Sequence, residues 1–359
     1  MSLVSKGKLQ INSSGSVMTK IILTDAKLKM LQNLWPEINA LGEVKVAKND
    51  EEDTLVKEAA NADLIITCYA VITRRVIEAG ENLKAILKWG VGVDSIDIEA
   101  ANENRLPVCH CPHYGSGTIA DHAFAMMIAL ARKLVPLVNA TKKKGWIWPN
   151  TSHEWAGTDL EGKTVGLVGF GRIAKKMAQR CTGFGMKIKA YDSMIKRPPA
   201  DLQHVELTTL EDVLCNADFV SVHAVLNRGN EGIIGAKELA LMKPTAFIIN
   251  TARGALIQEE ALINTLRQKR IAGAAIDVFD PEPIDASHPF YDLDNILITP
   301  HFAYYTIEAD ARLDRECYYS AKRILENESL VNVKNGDALA ALGEPVRWLP
   351  YGELPYNLD

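Results

Sequence analysis

Between residues 20 and 299, short aliphatic runs alternate with longer stretches of helical periodicity, and this alternation narrows the accessible folds more than any other feature. A strand that is apolar along its length has to be covered on both faces, as in a parallel sheet between layers of helices. Strands are predicted at KIILTD (20–25), EVKVA (43–47), DLIIT (63–67), LKAILKWG (83–90) and LPVCH (106–110). Further strands are predicted at KTVGLVGF (163–170), KIKAYD (187–192), DFVSVH (218–223), AFIIN (246–250), AGAAIDVF (272–279) and NILIT (295–299). The intervening AKKMAQRCTGFG and QEEALINTLRQKR read as helices, the second with an acidic first turn and a basic last turn that suit the helix dipole. An α/β chain with parallel sheets is expected. At 359 residues it is too long for one ordinary core and fits two domains.

Composition excludes several classes. A formal charge of −5 provides no basic field for nucleic acid. The longest apolar helical stretch, AFAMMIALA (123–131), falls short of the roughly 20 residues that cross a bilayer, so no membrane partner is expected. The six scattered cysteines, Cys68, Cys109, Cys111, Cys181, Cys215 and Cys317, read as reduced, buried thiols of a cytoplasmic protein. No His, Cys, Asp or Glu cluster has ligand spacing, and no metal is expected. The polar start MSLVSKGKLQINSSGSV lacks the apolar centre of a secretory signal, and residues 1–18 read as a disordered leader.

KTVGLVGFGRIAKKMA places Gly169, Gly171 and Ala174 in G-x-G-x-x-A spacing between a strand and a helix. Gly169 permits the tight turn, Gly171 lets backbone approach a pyrophosphate, and Ala174 lets the helix lie close to the sheet. Asp192 ends the next strand, KAYD, where a carboxylate accepts adenosine ribose hydroxyls. It would repel a 2′-phosphate, which points to NAD as cofactor. Lys196 and Arg197 follow, and could weaken that preference; the favoured alternative is a solvated turn before Pro198 and Pro199.

Three residues then emerge at carboxyl ends of predicted strands, the edge where open α/β sheets bind ligands. Arg253 follows AFIIN, Glu282 follows AGAAIDVF, and His301 follows NILIT. An arginine there can hold a carboxylate with its planar fork. A histidine paired with a carboxylate suits general acid catalysis near neutral pH. Singly, each has a dull explanation as loop cap, surface charge or core histidine; downstream of a nucleotide motif they read as a site.

KWGVGVDSIDIEAA (88–101), IADHAFAMMIALARKL (119–134), GLVGFGRIA (166–174), NTARGALI (250–257), AAIDVFDPEP (274–283) and LITPHFA (297–303) occur in the order of the D-isomer-specific 2-hydroxyacid dehydrogenases. Over residues 20–335 the chain resembles that family, with the phosphoglycerate dehydrogenase-like branch the nearest in pattern. The resemblance implies a Rossmann-type NAD-binding domain (117–303) inserted into a discontinuous, flavodoxin-like substrate domain (19–116 plus 304–335), with a tail at 336–359 and a catalytic cleft between the domains. It implies reversible hydride transfer between NAD and a small 2-oxo or 2-hydroxy acid. His301 would be the acid/base, Glu282 its partner and Arg253 the carboxylate and carbonyl ligand, with the amides of Val91 and Gly92 completing carboxylate binding. Cofactor contacts would come from Gly169, Gly171, Arg172, Ile173, Asp192, His223, Thr251, Ala252 and Asp277. Glu282 argues against the formate-oxidising branch, which carries glutamine. A homodimer is implied, with Trp146, Trp148 and Trp155 in an arm across the twofold axis; packing within one subunit is the alternative.

The chain departs from the family in places. His223 to Asn227 (HAVLN) lacks the usual proline. His113 and Tyr114 stand where a small turn is common, and either line the substrate pocket or pack between domains; Trp89 reads as core. Asp121 replaces a common glutamate. Relatives that serve as NAD-sensing corepressors make an interaction module the alternative function.

Overall fold

The computed structural model describes residues 19–149, 153–343, 348–349 and 354–358, so the leader at 1–18 lies outside the described residues. The chain divides into two compact units, residues 1–115 with 306–359, and residues 116–305.

In the first unit β1 (Lys20–Leu23), β2 (Glu43–Val46), β3 (Leu64–Thr67), β4 (Ala85–Lys88) and β5 (Val108–His110) form a sheet in the order β2-β1-β3-β4-β5, parallel throughout. The crossovers carry α1 (Trp35–Leu41), α2 (Glu52–Ala59), α3 (Arg74–Ala79) and α4 (Ile98–Glu103). β3 and β4 are buried at every position, whereas edge strand β2, EVKV, is largely exposed. Its alternating charges are what an edge requires.

The second unit opens with α5 (Ser116–Ala131) and α6 (Leu134–Lys144). There follow β6 (Thr164–Val168), α7 (Arg172–Gly183), β7 (Lys187–Tyr191), β8 (Glu206–Leu207), α8 (Leu210–Asn216), β9 (Phe219–Val222) and α9 (Ala236–Leu241). β10 (Phe247–Asn250), α10 (Glu259–Arg267), β11 (Gly273–Ile276) and β12 (Ile296–Ile298) complete it. The seven strands run parallel in the order β12-β11-β10-β9-β6-β7-β8. Strand order reverses at β6, between β7 and β9, and ligands of such sheets bind at the strand carboxyl ends beside that reversal. Two cores cover the faces: Phe124, Met127, Ala174 and Met177 from α5 and α7 on one, and Val213, Leu239 and Leu262 from α8, α9 and α10 on the other. The two-residue edge strand β8 is too short for its periodicity to show in the sequence.

The chain returns to the first unit through α11 (Ile307–Leu325) and α12 (Gly336–Ala341). Thr306 caps α11 by accepting the Ala309 amide at 3.1 Å. Asp314 of α11 is fully buried and accepts from the Leu31 and Asn33 amides and from Trp89 Nε1 at 2.9 Å. Burial raises its carboxyl above the usual range against those bonds. The segment expected to be tail is helical at 336–341, and Trp348 bridges to Leu330.

Among the described residues no single helix is long and apolar enough to cross a membrane. Five cysteines are buried, but Cys215 on α8 is exposed, against the expectation of burial throughout.

Candidate active site

β6 ends at Val168, and the chain turns through Gly169 at φ 90° into α7. A Cβ on Gly169 would lie 2.6 Å from the backbone N and Cα of Ala224, so the turn admits only glycine. Nothing lies within 4 Å of the Cβ position of Gly171, the N-cap of α7, and no side chain caps that helix. The first-turn amides that follow, from Arg172 and Ile173, stand at the helix N-terminus, where the dipole and backbone N–H groups suit a pyrophosphate. Ala174 is fully buried beneath them.

Asp192 lies at the end of β7, as a ribose acceptor should, but it also does something the sequence did not disclose. Its Oδ2 accepts the Phe170 amide at 2.7 Å, and its Oδ1 accepts Met194 and Ile195 amides at 2.8 and 3.0 Å. The carboxylate ties the glycine turn to the β7 loop. Burial opposes its ionisation, yet those amides and the Lys196 charge outweigh it and hold the carboxyl below the usual range. Lys196 folds back onto the Ser193 carbonyl at 2.7 Å.

His223 ends β9 and is buried, with Nε2 2.9 Å from Ser221 Oγ. Burial drives its pKa down to about 4. The unfolded chain takes up this proton below about pH 6.5 and the folded chain only near 4, so stability should fall across that window by roughly 3 kcal/mol and level off beneath it. Denaturant unfolding at pH 7 and pH 4.5 should show His223→Gln losing less stability on acidification than the parent; equal losses would remove the assignment.

At the end of β10 the Asn250 side chain shapes the next turn, accepting the Ala252 amide at 3.0 Å and donating to the Arg253 carbonyl at 2.8 Å. Asn250 was not singled out from sequence, although it opens NTARGALI. Thr251 is buried, and the Arg253 Nη1 donates to the Ala252 carbonyl at 2.7 Å. Gly254 must be glycine because a Cβ would sit 2.2 Å from the Phe279 carbonyl carbon. That close approach draws the β10 and β11 loops together.

Past β11, Asp277 is fully buried and its carboxylate accepts from Thr299 Oγ1 and from the Phe302 and Ala303 amides at 2.9 and 3.0 Å. Asp277, expected among the cofactor contacts, also anchors the loop after β12. Glu282 lies between two cis prolyl bonds, Asp280-Pro281 and Glu282-Pro283. Its Oε1 accepts the Phe279 amide at 2.8 Å, and its Oε2 lies 2.6 Å from His301 Nδ1. Burial works against the Glu282 charge, but the His301 bond and charge, the Phe279 amide and the Arg253 charge prevail and lower its carboxyl pKa. Arg253, Glu282 and His301 therefore converge at the ends of three adjacent strands, and His301 turns Nε2 away from its carboxylate partner.

Val91 and Gly92 belong to the first unit, after β4. The Val91 carbonyl is 2.8 Å from His110 Nδ1, and the Gly90 carbonyl accepts the Cys111 amide at 2.8 Å. Trp89 is buried beside them. His113 does not line a bare surface: its Nδ1 is 2.7 Å from Oε1 of the fully buried Glu316, and Tyr114 is buried with its carbonyl bonded to Arg312. Asp121 pairs with Arg180 at 2.6 Å in the second unit.

Residues 124–303 match the family described as D-isomer specific 2-hydroxyacid dehydrogenase, NAD binding domain. The chain is 38% identical over 320 residues to a D-3-phosphoglycerate dehydrogenase of Methanocaldococcus jannaschii, covering 89% of this chain and 60% of that protein. It is 36% identical to a hydroxypyruvate reductase of Thermotoga maritima, covering 74% of this chain and 86% of that one. It spans 50% and 59% of the lengths of the phosphoglycerate dehydrogenases of Archaeoglobus fulgidus and Mycobacterium tuberculosis. Among solved structures, a D-lactate dehydrogenase from Aquifex aeolicus complexed with NAD and lactic acid superposes with a TM-score of 0.79 at 26% identity, over 86% of this chain and 96% of that one. With a glycine turn between strand and helix, a His–Glu pair beside an arginine, the family match over residues 124–303 and 36% identity to a reductase covered over 86% of its length, the chain belongs to the D-isomer specific 2-hydroxyacid dehydrogenase family.

Proposed function

We propose that the protein is an NAD-dependent oxidoreductase that interconverts a small 2-oxo acid and its D-2-hydroxy acid. The observation that carries this reading is the 2.6 Å contact of His301 Nδ1 with Glu282, beside Arg253. Gly169, Gly171, Arg172, Ile173, Asp192, His223, Thr251, Ala252 and Asp277 would hold the nicotinamide dinucleotide, which when bound would donate a hydride to the 2-carbon as NADH or accept one from it as NAD. In the reducing direction Arg253 binds the substrate carboxylate and polarises the 2-oxo group, and His301 Nε2 delivers a proton to that oxygen. Glu282 keeps the ring oriented through its contact with Nδ1. The Val91 and Gly92 amides complete carboxylate binding.

A homodimer is part of the proposal. α6 buries none of its residues, and Leu134, Val135, Val138, Trp146 and Trp148 are exposed, the two tryptophans edge to face at 5.9 Å. Large exposed apolar surface of this kind is commonly an interface. The buried thiols suit a reducing compartment, and the cytoplasm is the proposed location.

Loss of NADH absorbance, with NADPH alongside, against glyoxylate, hydroxypyruvate, phosphohydroxypyruvate, pyruvate and bulkier 2-oxo acids tests the reading. Turnover of at least one acid with NADH preferred is expected, because Asp192 disfavours a 2′-phosphate. Tight NADH binding with no turnover across the panel would instead mark an NAD-sensing module.

A further inference from the structure

We infer that His122 is a positioning residue of the reaction, acting on the His301 loop through Thr299 and Asp277. The inference rests on the dehydrogenase reading above and adds to it a residue from helix α5, far from His301 in sequence.

The geometry is a chain of hydrogen bonds within the second unit. His301 has a left-handed backbone, φ 58°, a region that residues other than glycine adopt only where neighbouring contacts hold them. Three consecutive amides are held to keep it there. The His301 amide donates to the Asp277 carbonyl at 2.7 Å, and the Phe302 and Ala303 amides donate to the two carboxylate oxygens of Asp277. The Thr299 hydroxyl also meets Asp277 Oδ1, and since that carboxylate is acceptor-only when ionised, the hydroxyl donates its single proton to it. A hydroxyl whose proton is committed can only accept from a second partner. His122 Nε2 lies 3.1 Å from Thr299 Oγ1 and 3.7 Å from Asp277 Oδ1, so Nε2 carries the hydrogen and points along the chain.

A fully buried carboxylate is held in place by the donors around it, and removing one reorients the rest. His122 thereby fixes the rotamer of Thr299, Thr299 fixes Oδ1 of Asp277, and Asp277 fixes the amides on either side of the His301 side chain. α5 packs directly over β10 and β11, which gives the imidazole a rigid base. A displacement of about 1 Å at a reacting group can lower turnover about 100-fold.

The test uses the full chain with His122→Asn, Thr299→Val and Thr299→Ser, followed by steady-state kinetics, NADH titration and nitrogen-15 histidine resonances recorded against pH. The His301 resonance is assigned by its disappearance in His301→Asn; Glu282 is the charged group in contact with it, and the Arg253 charge acts on Glu282. His122→Asn and Thr299→Val should lower kcat about 10- to 100-fold, leave NADH affinity within about twofold, and move the His301 titration midpoint, while Thr299→Ser restores both. The double variant should lose little more than either single one. If His122→Asn does not fold, His122→Gln takes its place. Turnover within about twofold of the parent and an unmoved His301 midpoint would overturn the proposal. Were the parent to reduce no 2-oxo acid while the His301 midpoint still moved in His122→Asn, the hydrogen-bond chain would stand and the dehydrogenase reading would fall.

Discussion

His301→Asn should lower kcat by about 10²–10⁴-fold, the usual worth of a positioned general acid, and leave NADH affinity within about twofold. Asparagine is the informative replacement. The backbone at His301 is left-handed, φ 58°, and asparagine tolerates that region better than most residues, so the loop keeps its course. Its amide cannot deliver a proton to the substrate oxygen near neutral pH. The bonds from Asp277 to residues 301–303 are unaffected, since residues 301–303 contribute only their backbone amides to them. Stopped-flow reduction of the best 2-oxo acid, with NADH fluorescence titration in parallel, separates chemistry from cofactor binding. Native turnover in a folded His301→Asn protein would refute the acid/base assignment.

Gly169→Ala and Gly171→Ala should part company in a way that a shared role in the glycine motif would not predict. At Gly169 the new methyl meets backbone atoms of His223 and Ala224 at 2.6–2.8 Å, and the φ of 90° is already unfavourable to a side chain. Strain and overpacking together should cost about 3 kcal/mol or more of stability, because backbone on both sides has to move. NADH binding should be lost with it. At Gly171 the methyl enters open space, so the urea midpoint should stay put. NADH affinity should nonetheless fall by about tenfold or more, because the space it fills is where the pyrophosphate approaches the α7 amides. Equal midpoints for the two variants would discard the division of roles drawn between the two glycines.

Strand runs, the glycine turn and the residue types at strand ends were legible because each depends on burial or backbone geometry within a few residues. KTVGLVGF reads as a strand because all its neighbours in the sheet and both helical layers demand apolar side chains at once. β8 escaped notice because Glu206–Leu207 has too few residues to show a period and sits at an edge where no burial is imposed. Cys215 was expected inside on the general behaviour of cysteine, yet α8 turns that position to solvent. Asn250 could have been noticed, since an asparagine ending a buried strand needs partners and the turn after it supplies them.

The sequence alone determined which chemistry is present: a strand–glycine–helix unit for a dinucleotide, and an arginine, a glutamate and a histidine delivered to strand ends. Only the tertiary structure decided which of those groups meet and what holds them. The Glu282–His301 contact, the grip of Asp192 on the glycine turn, and the line from His122 through Thr299 to Asp277 join residues from separate strands and a distant helix. Periodicity reports whether a side chain is buried, a property of its own element. Its bonding partner is set by the packing of other elements, here α5 laid over β10 and β11.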